Sequence, residues 1–189
     1  DRGLCGGINT GIVRDVKTKI AATNRNDYGI YIFGDKGTSA LVRSFPDLIK
    51  YSVSEVPSPL SIWAVASITD NLKPVTKDYD KVLLVYNEFK SAIKSIVRHN
   101  EILPRHRFLE RMKVMKVYKI KQHRRKVVNP ALFDLYFTSN LYVAILNSIA
   151  SEQSARMSAM ENASKNAKEI VEKLKLEYNK VRQQKITLE

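Results

Sequence analysis

The chain has 189 residues, 44% of them apolar, a net charge of +13 and one cysteine. That length holds one ordinary domain plus an extension, and the apolar fraction excludes wholesale disorder. No run of roughly eighteen apolar residues occurs, so no membrane-spanning helix is expected; the lone Cys5 excludes an internal disulfide or a multi-cysteine metal site and fits a reducing compartment; and the charge favours an acidic partner, whether nucleic acid, anionic lipid or acidic protein loops.

In chain order, Asp1-Arg2-Gly3-Leu4-Cys5-Gly6-Gly7 reads as a turn leaving a strand. Ile8 to Ala22 carries Ile12, Val13, Val16, Ile20 and Ala21 at helical spacing, with Asn9 and Thr10 as candidate caps. A glycine-rich turn opening a helix has the general form of a phosphate cradle. Neither G-x-x-x-x-G-K-[ST] nor G-x-G-x-x-G is present, so a tight strand–helix connection is the expectation. Tyr28 to Phe33 reads as a strand, and Thr38 to Tyr51 as a short helix interrupted by Pro46. Pro57 and Pro59 mark a loop. Ile62 to Ile68 reads as a strand buried on both faces, Thr69 to Tyr79 as a short broken helix or loop containing Pro74, and Val82 to Val85 as another buried strand. This alternation predicts an α/β domain around a mostly parallel sheet.

Asn87 to Val97 spaces Phe89, Ile93, Ile96 and Val97 as a helix would, with a strand continuing from Val85 as the alternative. A basic block follows: eleven Lys or Arg between Arg98 and Lys126, against Glu101 and Glu110. Within it, Val114 to Lys121 reads as an edge strand or an extended loop. His99, His106 and His123 sit among cations that repel a metal ion, with no carboxylate cluster beside them, so no metal site is expected. No Ser-His-Asp order or carboxylate pair stands out, so neither an enzyme nor a bound cofactor is called for. Phe108 and Tyr118 interleave with the cations. On pattern alone, a basic nucleic-acid-binding module with a helical oligomerisation arm therefore stands as an alternative function, although no RNP, zinc-finger or KH signature supports it.

From Ala131 to Glu189 there is neither proline nor glycine, and good helix formers dominate. One helix of that length reaches about 85–90 Å and needs a partner along it. Every seventh residue gives Leu146, Gln153, Met160, Ala167, Leu174, Val181 and Leu188; the companion row is Ile149, Arg156, Ala163, Ile170, Glu177 and Gln184. The first row stays mostly apolar and the second decays toward the C-terminus. That predicts a coiled-coil seam through Leu146, Ile149, Met160, Ala163, Ala167, Ile170, Leu174 and Val181, with a more polar contact beyond it. Ala155, Ala159, Ala163 and Ala167 would allow close approach of a partner helix.

Three stretches carry a resemblance. They are Asp1 to Asn9; Val85-Tyr86-Asn87-Glu88-Phe89; and, most specifically, Ala150-Ser151-Glu152-Gln153-Ser154-Ala155-Arg156-Met157-Ser158-Ala159-Met160-Glu161-Asn162-Ala163, continued by Tyr178-Asn179-Lys180-Val181-Arg182-Gln183 and Ile186-Thr187. Together they resemble the γ subunit, the central stalk, of F-type ATP synthases. The resemblance implies a Rossmann-like foot over residues 1–130, including the basic segment 98–126. It implies a C-terminal helix over 131–189 that is half of an antiparallel coiled coil. It implies a non-catalytic rotor that couples proton-driven rotation of the c-subunit ring to conformational change in the catalytic β subunits. The partners would be the α and β subunits of the hexamer, the small central-stalk subunits and the c ring, with no nucleic acid and no direct membrane span. The implied location is the matrix side of the mitochondrial inner membrane, with the cytoplasmic side of a bacterial plasma membrane as the alternative.

By the same resemblance, Arg182, Gln183, Thr187 and Glu189 would contact a β-subunit loop, and Tyr86, Asn87 and Phe89 would keep the fold. The family has a long helix before the Gly-Leu-Cys-Gly turn and an apolar tip after Thr187, and this sequence shows neither. The expectation is a fragment, or a chain whose first helix lies on another polypeptide, with Leu146, Met160, Leu174 and Val181 left under-buried. The plastid branch's cysteine-containing insertion is also missing.

Overall fold

A computed structural model describes residues 3–23, 27–54, 59–92, 94–114 and 122–188. Helix α1 spans Ile8–Ala21 and buries Val13 and Ile20. Gly7 caps it, in place of Asn9 or Thr10, and the Asn9 amide instead donates to Cys5 Sγ at 3.3 Å. Strand β1 (Ile30–Phe33) lies parallel to β2 (Ile49–Val53), joined through helix α2 (Asp35–Val42) and a 3-10 turn over Pro46–Leu48. Gly34 turns the chain from β1 into α2 at φ 115°, where a side chain would be strained. Pro46 does interrupt the helix expected over Thr38 to Tyr51. Beyond it the β-favouring Ile49, Tyr51 and Val53 form β2, a strand hidden in the sequence by the apolar positions just before it.

The segment Ile62 to Ile68, expected as a doubly buried strand, is helical: it opens α3 (Ile62–Leu72). Ser61 Oγ accepts the Ala64 N–H at 3.2 Å and caps the first turn. Val65, Thr69 and Leu72 are buried at helical spacing while Trp63 is 81% exposed. A short apolar run does not distinguish a buried strand from a helix, and the cap decides here. The helix expected over Asn87 to Val97 is also corrected, in favour of its alternative. Strand β3 (Val82–Phe89) runs on past Val85 and pairs antiparallel with β4 (Ser95–Ile102). The described strands thus form one parallel pair and one antiparallel pair. The basic block supplies β4 and helix α4 (Arg105–Val114). The remainder of the Val114 to Lys121 stretch lies outside the described residues.

Helix α5 spans Gln122–Leu188, 67 residues or about 100 Å. It begins upstream of Pro130, which sits inside it and removes one backbone donor without ending the helix. Phe133, Phe137, Leu141 and Ile145 recur every fourth residue and form one buried ridge. That ridge packs with Val65 and Leu72 of α3 and Ile102 of β4 into the main core, while Val13, Ile32 and Leu41 form a second. Phe108 of α4 stacks on Tyr136, with ring centroids 5.0 Å apart, and so seats the basic helix on α5.

Lys73 closes the end of α3, with Nζ 2.7 Å from Asp70 and 2.8 Å from Asp134 of α5. Burial lowers the lysine pKa, but the hydrogen bonds Lys73 donates to Asp134 and Asp70 outweigh that and hold the value above the ordinary 10.5. A raised pKa makes this contribution complete below 10.5 and lost as pH rises through the folded-state value. Lys73→Met should therefore cost about 1 kcal/mol near neutral pH, both carboxylates being partly hydrated. The gap to the unaltered chain should close in strong alkali; urea midpoints at the two pH values measure it.

Candidate coupling surface on the long helix

Two stretches of α5 have different surroundings. Up to Ala159 it is flanked by the foot; from Met160 to Thr187 every side chain is exposed. The exposed stretch keeps helical geometry through its Ala, Glu, Lys, Leu and Gln content and through pairs such as Lys165 Nζ to Glu161 at 2.9 Å. Helix formers alone leave a lone helix marginal in water. This one also presents Ile170, Leu174, at 57% exposure, and Val181, at 61%, to solvent. Val171, Leu174, Lys175, Tyr178 and Asn179 line a shallow groove along the same stretch. Large apolar side chains left in solvent along one helix are candidates for contact with a partner.

Of the seam residues read from the sequence, Met160, Ala163, Ala167, Ile170, Leu174 and Val181 lie on this free stretch, all exposed. Leu146 is exposed lower down, beside the foot. Ile149 is partly buried and packs against the main core. Arg182 and Gln183 are exposed near the free end, and among the described residues neither side chain has a hydrogen-bonding partner. Thr187 Oγ1 donates to the Gln183 carbonyl at 2.6 Å, which leaves its oxygen only as an acceptor. Glu189 lies outside the described residues, as do the side chains of Leu188, His123, Arg124 and Arg125.

Below the free stretch is a set of contacts that the sequence reading passed over. β3 pairs with β4 on one edge, and side chains of α5 satisfy its other edge. Ser151 Oγ donates to the Asn87 carbonyl at 3.1 Å, the Asn87 N–H donates to Ser148 Oγ at 3.4 Å, and the Phe89 N–H donates to Asn147 Oδ1 at 3.4 Å. Ser154 and Ser158 both donate to the Ala92 carbonyl at the hairpin tip, at 2.7 and 3.3 Å. Arg156, paired with Glu152 and Gln153, reaches the Gly3 carbonyl at 3.4 Å. The signal was legible: Asn147, Ser151, Ser154 and Ser158 are spaced four, three and four residues apart, which puts them on one helical face. Asn87 is buried by this docking, and Tyr86 is half-buried beside it. His99 pairs with Asp15 at 2.9 Å, tying β4 to α1. Among the described residues no group of His, Cys, Asp and Glu could hold a metal, and no helix is long and apolar enough to cross a membrane.

A small α/β foot gripping the lower part of one very long helix, whose upper part carries uncovered apolar side chains among charged ones, is the form of a stalk subunit. The whole chain, residues 1–189, matches the ATP synthase family, and it belongs to that family's gamma chains. It is 36% identical to the ATP synthase gamma chain of Christiangramia forsetii and 33% identical to that of Campylobacter concisus. Both alignments cover 100% of this chain and 66% of the relative, so the chain spans just under two thirds of their length. Among solved structures it is similar to the central stalk and c-ring structure of the Tetrahymena thermophila mitochondrial ATP synthase. There the TM-score is 0.80 and identity 42%, over 87% of this chain and 72% of that one. The rotor of the Euglena gracilis mitochondrial enzyme shares the fold at TM-score 0.74 and 20% identity, over 98% of this chain and 71% of that one.

Proposed function

We propose that this chain is the rotor of an F-type ATP synthase, the central stalk that couples turning of the c-subunit ring to conformational change in the catalytic β subunits. The observation that carries this reading is the free stretch of α5: one long helix with uncovered apolar residues, ending near Arg182 and Gln183, whose side chains have no partner among the described residues. Such a shaft presents a different surface at each angle, and a partner that binds each surface differently is biased among discrete conformations. In this reading the chain performs no chemistry itself, and its foot faces the ring and the small stalk subunits. The seam on α5 takes an antiparallel helix, and Arg182, Gln183, Thr187 and Glu189 face a β-subunit loop. The functional divide between foot and shaft falls near Met160, above the chain divide at Pro130. The matrix side of the mitochondrial inner membrane is the proposed location, supported by the 42% identity to a mitochondrial stalk.

Affinity purification of the full-length chain from its native membranes at moderate salt tests the proposal. Retention of the catalytic hexamer and the ring is expected. Recovery of the chain without them, or with RNA whose binding falls steeply with salt, would contradict it.

A further inference from the structure

The foot holds α5 by two kinds of contact with different mechanical properties. The ridge of Phe133, Phe137, Leu141 and Ile145 is apolar, and burial of apolar surface is non-directional. It resists separation, and at the same level Lys73 to Asp134 and Asn100 to Asn140 add two polar links. The contacts above it are hydrogen bonds, which weaken steeply when their angles change. From Asn147 to Ser158, five side chains on α5 engage backbone groups of Asn87, Phe89 and Ala92, all about sixty residues away in sequence. Their short side chains leave little slack between helix and strand. Arg156 reaches the Gly3 carbonyl from the same level of the helix. Directly above, from Met160, the helix is uncovered.

We infer that Asn147, Ser148, Ser151, Ser154 and Ser158 form the torque collar of the stalk, the joint at which rotation of the foot is passed to the shaft. The inference rests on the rotor reading. Among the described residues, the collar is the last grip of the foot on α5 before the helix emerges, so twist delivered to the shaft crosses it. These are positioning residues: they touch neither nucleotide nor proton, and act by fixing the angle of the helix on the foot. Ala92 is the exposed anchor at the hairpin tip, where one carbonyl accepts from two serines a helical turn apart.

The test uses the full-length chain in the assembled complex in inverted membrane vesicles. ATP hydrolysis and ATP-driven proton pumping are read together while the opposing proton gradient is raised. Ser154→Ala with Ser158→Ala should leave hydrolysis without a gradient unchanged. Under a steep gradient, protons pumped per ATP should fall by about twofold or more, because the joint yields under load. Ser154→Thr with Ser158→Thr keeps both hydroxyls and should retain pumping. Unchanged pumping per ATP at every gradient in the alanine variant would overturn the inference, as would an equal loss in the threonine variant. Should the double alanine variant fail to assemble, Ser158→Ala alone is read by the same criteria. Failure of the unaltered chain to join the complex would instead overturn the rotor reading.

Discussion

Phe133→Ala is expected to destabilise the foot by about 3–5 kcal/mol. The Phe133 side chain is fully buried at the centre of the main core. Its ring lies 5.5 Å from Phe108 and 5.5 Å from Phe137, both tilted, and Phe108 in turn stacks on Tyr136. Removing it deletes a large transfer contribution, leaves a cavity that helices on both sides cannot fill, and unseats α4. Small domains hold only about 5–15 kcal/mol in total, so the loss is a large part of the whole. Urea unfolding of the full-length chain should show the midpoint falling sharply. Trp63→Ala serves as the control, since Trp63 is exposed and its loss should fall within about 0.5 kcal/mol. A Phe133→Ala shift no larger than that of Trp63→Ala would mean that the ridge on α5 does not organise the core.

The second large effect concerns the free end. Replacing Arg182 and Gln183 together with alanine should leave the fold alone, since both are exposed and without side-chain partners among the described residues. In the assembled complex the same change should lower ATP synthesis by about tenfold or more. An arginine fork on a carboxylate makes charge-assisted hydrogen bonds of about 1.5–3 kcal/mol, and each 1.4 kcal/mol is about a factor of ten. Thr187→Ala should do less, because the Thr187 hydroxyl is already committed to the Gln183 carbonyl. Rates of ATP synthesis in vesicles, normalised to assembled complex, measure both. Unchanged synthesis in the double variant would remove Arg182 and Gln183 from the contact surface.

Much of the architecture was legible where one local rule operates alone. The long helix follows from composition and the absence of glycine or proline, and α1 and β1 follow from period and turn chemistry. Legibility failed where two rules compete. Ile62 to Ile68 satisfies both the buried-strand and the buried-helix patterns, and the Ser61 cap, a single side chain, resolves it. Asn87 to Phe89 looked helical because its apolar spacing is ambiguous. Its strand geometry is imposed by hairpin pairing with β4 and by the serines of α5, the latter more than sixty residues away in sequence. Pro130 suggested a helix start, yet α5 continues on both sides of it.

The candidate surface divides in the same way. Exposure of Met160, Leu174 and Val181 follows from a heptad with no internal partner. Ile149, read as part of the seam, is partly buried against the core because the foot reaches that far up the helix. The serine face was in the sequence but was masked by the alanines among which it lies. Beside Ala155 the hairpin tip approaches through Ala92, while Ala163 and Ala167 stand on the exposed stretch.

The most direct measurement is rotation itself. With the catalytic hexamer fixed to a surface and an optical probe attached at Trp63→Cys, an exposed position on the foot, ATP should drive continuous rotation of the probe in one direction. A probe that stays at a fixed angle while the same complexes hydrolyse ATP would contradict the account.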